Sequence, residues 1–286
     1  MLSSFKKQTN IKTLYVSDLD GTLLTSDMKI SENSLNIINA LIDKGMIFTY
    51  ATARSISSAS IVAKGLSTKH PIIAYNGAFI VEPESRKILA KETFDKAQIE
   101  LIRKVLEEYH ISPLVYAFVE EKERVSWIPG KENEGKRHYI NSRNGDKRLR
   151  PVTSEEELYK GEVFYFTCIG EKEELEPVYN ALKENENYTI TFQPEIYREE
   201  YWLEIMPKQA TKANAILKLK ELLDCDKIVS FGDAINDIPM FQISDECYAV
   251  ENAVGELKKM ATEVVESNNE EGVAKWLLKN VKVNHE

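Results

Sequence analysis

The chain reads YVSDLDGTLL from Tyr15 to Leu24, and this stretch decides the fold that the remaining sequence supports. An apolar, β-prone run leads into Asp18 and Asp20, and Gly21 then interrupts the strand. Side chains two residues apart on a strand share a face, so both carboxylates are expected to point the same way. Mg²⁺ is a hard cation that takes one or two carboxylates and would relieve their repulsion. The stretch alone fits either a metal-assisted site or an ordinary Asp-Gly turn at a strand end.

Composition bounds the classes of protein that remain possible. A chain of 286 residues favours one large domain or two moderate ones, and a hydrophobic content of 43% supplies a sizeable core. The net charge of −9 argues against nucleic-acid binding, which needs a basic surface. An acidic protein that handles anions must therefore supply positive charge locally, through a metal ion or a few lysines.

Targeting signals are not evident. No apolar run approaches the roughly 20 residues that a membrane span needs, and residues 1–13 lack the apolar middle of a signal peptide. The cysteines, Cys168, Cys225 and Cys247, are far apart, odd in number and mostly within apolar runs, which indicates reduced, buried thiols. We expect a cytoplasmic protein without membrane association, and the sequence leaves its oligomeric state open.

The order of elements predicts two domains. Strands and helices alternate with short polar joints up to about residue 84, which is the pattern of a doubly wound parallel α/β sheet. Strands then follow one another more closely, which suggests an α+β segment with an antiparallel sheet. The alternating pattern returns near residue 208. We therefore predict a Rossmann-like α/β core from residues 1–84 and 208–286, interrupted by an α+β domain at 85–207.

Polar residues follow several predicted core strands, where open α/β sheets bind ligands. Each has an ordinary structural role available to it: Thr52 would cap a helix, Asn76 would belong to an Asn-Gly turn, and Asp233 and Asp237 would be first-turn acids. Lys212 alone would be a solvated lysine. If these ordinary roles are the right explanation, all of them must apply at once to residues that lie at one edge of the sheet.

A single ligand, a phosphoryl group bound with Mg²⁺, would account for all of these residues together. Asp18, Asp20 and Asp233 would hold Mg²⁺, while Thr52 and Lys212 would hold phosphoryl oxygens that the metal does not reach. Positioning and charge stabilisation of this kind are what phosphoryl transfer requires.

The motifs resemble those of the haloacid dehalogenase-like (HAD) phosphatases. Asp18–Leu23 is similar to the first motif of that family, Thr52 to the second, Lys212 to the third, and Gly232–Asp237 to the fourth. The first and fourth motifs are specific together, whereas the second and third would be weak alone.

Two further segments resemble the Cof-type subfamily, Tyr75–Ala78 and Val250–Ala253. That subfamily inserts a substrate cap between the second and third motifs, where residues 85–207 lie. The most basic stretch of this insert, Gly130–Arg150, would either meet an anionic part of the substrate or form a solvated loop. We favour the solvated loop because acids are mixed among its lysines and arginines.

The resemblance implies a role for each aspartate. Asp18 would be the nucleophile that forms an aspartyl-phosphate, and it would also ligate Mg²⁺. Asp20 would contact the metal through its backbone carbonyl, while its side chain would serve as general acid and then general base. Asp233 would be a side-chain ligand, and Asp237 would support it directly or through water. The resemblance thus makes Asp18 and Asp20 unequal.

It also implies a phosphate site, formed by Thr52, Lys212, Asn236 and the backbone amides of Leu19 and Ala53. The chain departs from the usual family pattern at three positions, where it has Ala53, Ala213 and Ala234. Alanine keeps the amide donor but disfavours positive φ, so we expect ordinary backbone dihedrals at all three.

The resulting expectation is a Mg²⁺-dependent phosphatase of small phosphorylated metabolites, such as sugar phosphates or phosphorylated cofactors. A phosphomutase or phosphotransferase would use the same aspartyl-phosphate but would need a second acceptor, of which the sequence gives no sign. A phospho-accepting switch protein would also combine acids, a threonine and a lysine, but it would leave the insert unexplained.

Overall fold

The structure, a computed structural model, describes residues 11–194 and 199–282. The chain divides into two compact units. The first combines the residues up to Lys91 with those from Thr211 onward, and the second is Glu92–Ala210. The predicted insert, 85–207, starts seven residues earlier and ends three residues earlier than the second unit. Its function as a cap stays a prediction.

Strands in the described residues are, in chain order, β1 (Thr13–Ser17), β2 (Ile47–Tyr50), β3 (Ile72–Ala74), β4 (Phe79–Val81), β5 (Ile88–Lys91), β6 (Leu114–Val119), β7 (Lys122–Trp127), β8 (Leu149–Pro151), β9 (Glu162–Gly170), β10 (Tyr188–Pro194), β11 (Tyr201–Pro207), β12 (Lys227–Gly232), β13 (Glu246–Val250) and β14 (Glu263–Val265). The α-helices are α1 (Glu32–Asp43), α2 (Ile56–Val62), α3 (Lys96–Glu108), α4 (Glu134–Asn141), α5 (Glu155–Leu158), α6 (Lys172–Leu182), α7 (Lys212–Leu222), α8 (Ile238–Gln242), α9 (Gly255–Met260) and α10 (Gly272–Asn280).

The first unit is built on a five-stranded parallel sheet in the order β14-β13-β12-β1-β2. β1 lies between β12 and β2, and its Leu14 and Val16 are fully buried. Such burial is expected of a parallel strand whose two faces are covered. The predicted α/β fold class is therefore confirmed, and the loops that follow β1, β2 and β12 meet at one edge of the sheet.

The prediction that β3 belongs to the main parallel sheet is wrong. The predicted third strand is β3, but β3 belongs to a separate antiparallel sheet, β3-β4-β5, and reaches the main sheet through a single parallel bridge between Ala51 and Ile73. The turn Tyr75–Gly77 sends the chain back into β4, so no crossover helix follows.

The predicted ends of helix α1 are confirmed. Ser31 caps α1 and its side chain accepts a hydrogen bond from the amide of Ser34, as predicted. Gly45 ends the same helix with φ +100°, a left-handed conformation that favours glycine. Thr211 caps α7 in the same way as Ser31 caps α1.

The second unit contains a six-stranded sheet in the order β10-β11-β9-β6-β7-β8, antiparallel except between β7 and β8. Apolar side chains of α3 and α6, including Ile102 and Leu175, pack with Phe166 and other residues of one sheet face. The predicted α+β character of the insert is confirmed.

The solvated-loop interpretation of Gly130–Arg150 is wrong for part of that stretch. It contains α4, which Asn133 caps and whose Tyr139 is buried at 5.6 Å from the ring of Trp202. Lys136 is buried as well, and its ammonium donates to backbone carbonyls such as that of Ser112, which compensates for its lost hydration. The buried residues of this short helix are Gly135, Lys136 and Tyr139, so the sequence has no apolar periodicity that would reveal it.

Cys168, Cys225 and Cys247 are buried and unpaired, as predicted. Among the described residues no helix is both long and apolar enough to cross a membrane. Residues 1–10, on which the expectation about a signal peptide rests, lie outside the described part of the chain.

Candidate active site

Two acids lie side by side where β1 and β12 end. Ser17 pairs with Phe231 in the parallel register of these strands, and the amide of Asp18 donates to the Phe231 carbonyl at 2.9 Å. Asp18 directly follows β1, and Asp233 directly follows β12. The parallel pairing therefore brings together carboxylates that are more than two hundred residues apart in sequence.

The loop Leu19–Leu23 turns sharply next to Asp233. Gly21 has φ +76°, and a Cβ at this position would lie 2.3 Å from Oδ2 of Asp233. Thr22 donates its hydroxyl to Oδ1 of Asp233 at 2.8 Å. Gly21 and Thr22 thus fix the orientation of Asp233, which is a structural reason for the Asp-Gly-Thr sequence.

Asp18 and Asp20 do not share a strand face. β1 ends at Ser17, so the alternation argument, which assumed an extended chain through Asp20, is wrong. The side chain of Asp20 instead pairs with Arg54, with Nη2 to Oδ1 at 2.6 Å. A contact between the Asp20 backbone carbonyl and a metal stays a prediction.

Asp237 is fully buried and organises the loop after β12. Its Oδ2 accepts hydrogen bonds from the amides of Asp233 at 3.0 Å and Ala234 at 3.1 Å. Its Oδ1 accepts from Nζ of Lys212 at 2.7 Å. Asp237 therefore holds both the backbone of Asp233 and the ammonium of Lys212.

Lys212 is the first residue of α7 and is only 2% exposed. Its Nζ lies 2.5 Å from Oδ1 of Asp18. The start of α7 is held against the turn Tyr75–Gly77, because a Cβ on Gly77 would lie 2.1 Å from the carbonyl oxygen of Thr211. The Asn-Gly turn is therefore packed directly against the start of the helix that carries Lys212.

The charges at this place do not balance. Asp18, Asp233 and Asp237 offer oxygen atoms that all lie within 4.8 Å of one another. If all three are ionised, three negative charges face the single positive charge of Lys212, which leaves two uncompensated. A divalent cation would restore the balance, and carboxylate oxygens are the donors that Mg²⁺ prefers. The residues therefore fit the metal that the sequence predicted.

Burial and crowding shift the pKa values of these groups. Loss of hydration raises the pKa of Asp18 to about 8, and the nearby Asp237 and Asp233 add to the rise although Lys212 opposes it. Loss of hydration likewise raises the pKa of Asp233 to about 6. Burial alone would lower the pKa of Lys212, but its two carboxylate partners outweigh that effect and raise it.

Thr52 lies at the same edge of the sheet, since the amide of the preceding Ala51 donates to the Ser17 carbonyl at 2.9 Å. It is fully buried and does not cap α2, because Ser55 performs that function. Its Oγ1 accepts from the amide of Arg54 at 3.1 Å, so its own hydroxyl proton is available to a ligand. The interpretation of Thr52 as an ordinary helix cap is wrong.

Other predicted phosphate contacts are placed in the loops but stay predictions. Leu19 is buried, whereas Ala53 and Asn236 are exposed after β2 and β12 respectively. Positive φ is found at none of Ala53, Ala213 and Ala234, and Ala234 has φ −121°. The expectation of ordinary dihedrals at the three alanines is confirmed.

Arg54 is the residue of this site that sequence reasoning missed. It follows Thr52 by two positions, in the loop after β2. No spacing rule distinguishes it from a surface arginine, because its partner Asp20 lies thirty-four residues away in sequence. Only the pairing of β1 with β2 brings the two loops together.

Comparison with known proteins places the chain in a family. The sequence profile of the haloacid dehalogenase-like hydrolases matches residues 15–277. The chain belongs to this family of enzymes, which confirms the resemblance of its four motifs.

Individual relatives match over nearly their whole length. A protein named as a phosphatase from Streptococcus pyogenes serotype M6 is 29% identical, with 93% of this chain and 98% of that protein covered. A Bacillus subtilis protein named 5-amino-6-(5-phospho-D-ribitylamino)uracil phosphatase is 25% identical over 91% of this chain and 95% of its own. A crystal structure from Thermotoga maritima superposes with a TM-score of 0.77 at 27% identity, covering 96% of this chain and 99% of that one.

Proposed function

We propose that this hydrolase is a Mg²⁺-dependent phosphatase of small phosphomonoesters that works through an aspartyl-phosphate on Asp18. The observation that carries the proposal is the buried contact of Lys212 with Asp18 and Asp237, beside oxygen atoms of Asp18, Asp233 and Asp237 that lie within 4.8 Å of one another. Relatives named as phosphatases over nearly the whole chain support the same reaction class.

In the first step an oxygen of Asp18 attacks phosphorus and the bond from phosphorus to the ester oxygen breaks. Asp20 gives its proton to that leaving oxygen, so an alcohol departs and Asp18 carries the phosphoryl group. In the second step water attacks phosphorus while Asp20 takes a proton from it. Inorganic phosphate leaves and both aspartates return to their starting states.

Lys212 and Thr52 perform the electrostatic part of the reaction. The ammonium of Lys212 reduces the repulsion between Asp18 and an approaching phosphate, and the Thr52 hydroxyl donates to a phosphoryl oxygen. Asn236 and the amides of Leu19 and Ala53 are proposed as further donors. Each of these groups stabilises charge without itself being consumed.

Asp18, Asp233 and the backbone carbonyl of Asp20 would hold Mg²⁺, with Asp237 fixing the loop that carries Asp233. When bound, the ion supplies positive charge to the phosphoryl oxygens and compensates the carboxylate cluster. The chain's own contribution is to keep these oxygens converged through Gly21, Thr22 and Lys212.

The substrate is proposed to be a sugar phosphate or a phosphorylated cofactor inside the cytoplasm. The name of the Bacillus subtilis relative recommends a phosphorylated ribityl compound for any substrate panel. The inserted unit Glu92–Ala210 is proposed to select the substrate, as caps do in the resembled subfamily. Product analysis separates hydrolysis from phosphoryl transfer, since a transferase would place phosphate on an added sugar.

Hydrolysis of p-nitrophenyl phosphate tests the proposal. We expect activity with Mg²⁺, loss of it on chelation, and a fall of at least about 10³-fold in kcat for Asp18→Asn, because the nucleophile is removed. Asp27→Asn is the matched control, since its carboxylate is 77% exposed in the same unit and should leave the rate unchanged. An Asp18→Asn variant with the wild-type rate would refute the proposal.

A further inference from the structure

Arg54 holds the side chain of Asp20 in a fixed orientation. Its Nε donates to Oδ2 at 2.8 Å and its Nη2 donates to Oδ1 at 2.6 Å, so one planar group occupies one acceptor site on each oxygen and leaves the other site for a proton. Bidentate pairs of this kind restrict the angle as well as the distance between the two side chains.

The arginine is itself anchored at both ends. Its amide donates to Oγ1 of Thr52 at 3.1 Å and its carbonyl accepts from the amide of Tyr75 at 2.9 Å. At the far end, Nη1 donates to Oγ of Ser58 at 3.0 Å, in the first turn of α2. The guanidinium therefore has a defined position relative to the loops that carry Thr52 and Asn76.

Asp20 needs such a restraint because of where it lies. Its side chain is 42% exposed, and it belongs to the irregular loop that contains Gly21. An exposed carboxylate on a loop samples several rotamers unless a partner selects one. A group that transfers a proton to a leaving oxygen must be held within hydrogen-bond reach of it.

Neither a surface ion pair nor direct phosphate binding accounts for the geometry of Arg54 and Asp20. An ordinary surface ion pair joins two mobile side chains and has little effect, whereas the Arg54 side chain is 19% exposed and held by Ser58. For direct phosphate binding Arg54 would have only the remaining N–H groups of Nη1 and Nη2, because Nε and one N–H of Nη2 donate to Asp20 and one N–H of Nη1 donates to Ser58.

We propose that Arg54 is a positioning residue that orients the Asp20 carboxyl group for proton transfer to the leaving group. The inference rests on the proposed function, since it assumes that Asp20 is the proton donor. It goes beyond that function by assigning Arg54 a role that acts through Asp20 and not through the phosphate.

The test uses two esters that differ in their need for an acid. The p-nitrophenolate ion leaves without protonation, whereas the alkoxide of glycerol 3-phosphate requires a proton. The ratio of kcat/KM for these esters reports only steps up to the first irreversible one, so later hydrolysis of the intermediate does not enter. We expect Arg54→Gln to lower kcat/KM for glycerol phosphate at least about tenfold more than for p-nitrophenyl phosphate.

A second variant and a second background separate positioning from mere structure. Arg54→Lys keeps the positive charge but lacks the planar pair of donors. It should recover only part of the kcat/KM for glycerol phosphate that Arg54→Gln loses. In an Asp20→Asn background, Arg54→Gln should cause no further change, because the residue acts through Asp20. Arg86→Gln, an exposed arginine of the same unit, is the control and should match wild type.

Inhibition by inorganic phosphate provides a readout besides turnover. We expect its inhibition constant to stay within about twofold of wild type in Arg54→Gln, which would also show that the phosphate site is still folded. The proposal is overturned if phosphate binding weakens tenfold, if both esters are affected equally, if neither is affected, or if the loss persists in Asp20→Asn.

Failure of the proposed function would look different from failure of this inference. If the wild-type enzyme hydrolyses neither ester, or if Asp20→Asn fails to discriminate between them, the role of Asp20 is wrong and the Arg54 assignment falls with it. If Asp20→Asn discriminates and Arg54→Gln does not, the role of Asp20 survives and only the Arg54 assignment is wrong.

Discussion

At the scale of single residues, Lys212 determines the charge balance of the site. Its ammonium is buried between Asp18 and Asp237, at 2.5 Å and 2.7 Å from their oxygens. Burial raises the pKa of Asp18, and the neighbouring carboxylates of Asp237 and Asp233 raise it further against the opposing charge of Lys212. Without a metal, part of the imbalance is relieved by keeping a proton on the carboxylate.

This proton makes metal binding depend on pH. The pKa of Asp18 is about 8 in the folded, metal-free protein and that of Asp233 is about 6, whereas the ordinary value is 3.8. Mg²⁺ requires the carboxylates without protons, so its apparent affinity should rise between about pH 6 and pH 8. Titration calorimetry in buffers of different ionisation enthalpy should show proton release at pH 7. Asp18→Asn should release less, and an unchanged release would contradict the assignment.

The raised pKa of Asp18 also makes the stability of the metal-free protein depend on pH. Between its ordinary pKa of 3.8 and its folded pKa of about 8, Asp18 holds more protons in the folded protein than in the unfolded chain. Its contribution to the stability of the metal-free protein is therefore largest below about pH 4, and it is lost as the pH rises towards 8. Mg²⁺ should oppose this loss because it binds the ionised form.

At the scale of elements, the loop Leu19–Leu23 shows where local sequence rules succeed and fail. The strand-then-turn pattern located the end of β1 correctly to within a few residues, and it singled out both aspartates. It could not show that the strand stops at Ser17, because Ser17 and Asp18 satisfy an extended pattern equally well. A backbone hydrogen bond from the Leu24 amide to the Leu19 carbonyl closes the loop. It depends on the positive φ of Gly21, which the sequence allows but does not require.

Gly21→Ala tests how this loop positions Asp233. The added Cβ would lie 2.3 Å from the Asp233 carboxylate and would also occupy a left-handed φ of +76°. Gly45→Ala is the matched control, since it has φ +100° with nothing within 4 Å of its Cβ. Both should lose roughly 1–2 kcal/mol of unfolding free energy from backbone strain, measured by urea denaturation. Only Gly21→Ala should also lose Mg²⁺ affinity and activity; equal activity in both variants would contradict the role given to Gly21.

At the scale of the whole molecule, the candidate site is a product of chain topology. Asp18 and Thr52 come from the first part of the sequence, and Lys212 and Asp233 from the last, with 119 residues between Lys91 and Thr211 given to the second unit. Parallel pairing of β1 with β12 brings the two parts together. The unit that holds the candidate site therefore cannot be obtained by truncation on either side of the insert.

Sequence reasoning could reach this architecture for identifiable physical reasons. Alternating strands and helices give periodic patterns, and polar residues at strand ends are recognisable because the intervening strands are apolar. It could not reach the Arg54–Asp20 pair, the β3-β4-β5 sheet or helix α4. The first two depend on contacts between elements, and the third is a short helix whose buried residues are Gly135, Lys136 and Tyr139, which do not form an apolar pattern in the sequence.

The central claim is that Asp18 carries the phosphoryl group, and trapping that intermediate tests it most directly. Asp20→Asn should slow the attack of water but not the departure of p-nitrophenolate, which needs no acid. The intermediate should therefore accumulate when the variant meets Mg²⁺ and p-nitrophenyl phosphate with a radiolabelled phosphoryl group and is then quenched with acid. We expect protein-bound label on the peptide that contains Asp18, and none in the Asp18→Asn, Asp20→Asn double variant. Equal labelling of the double variant, or label on another peptide, would contradict the claim.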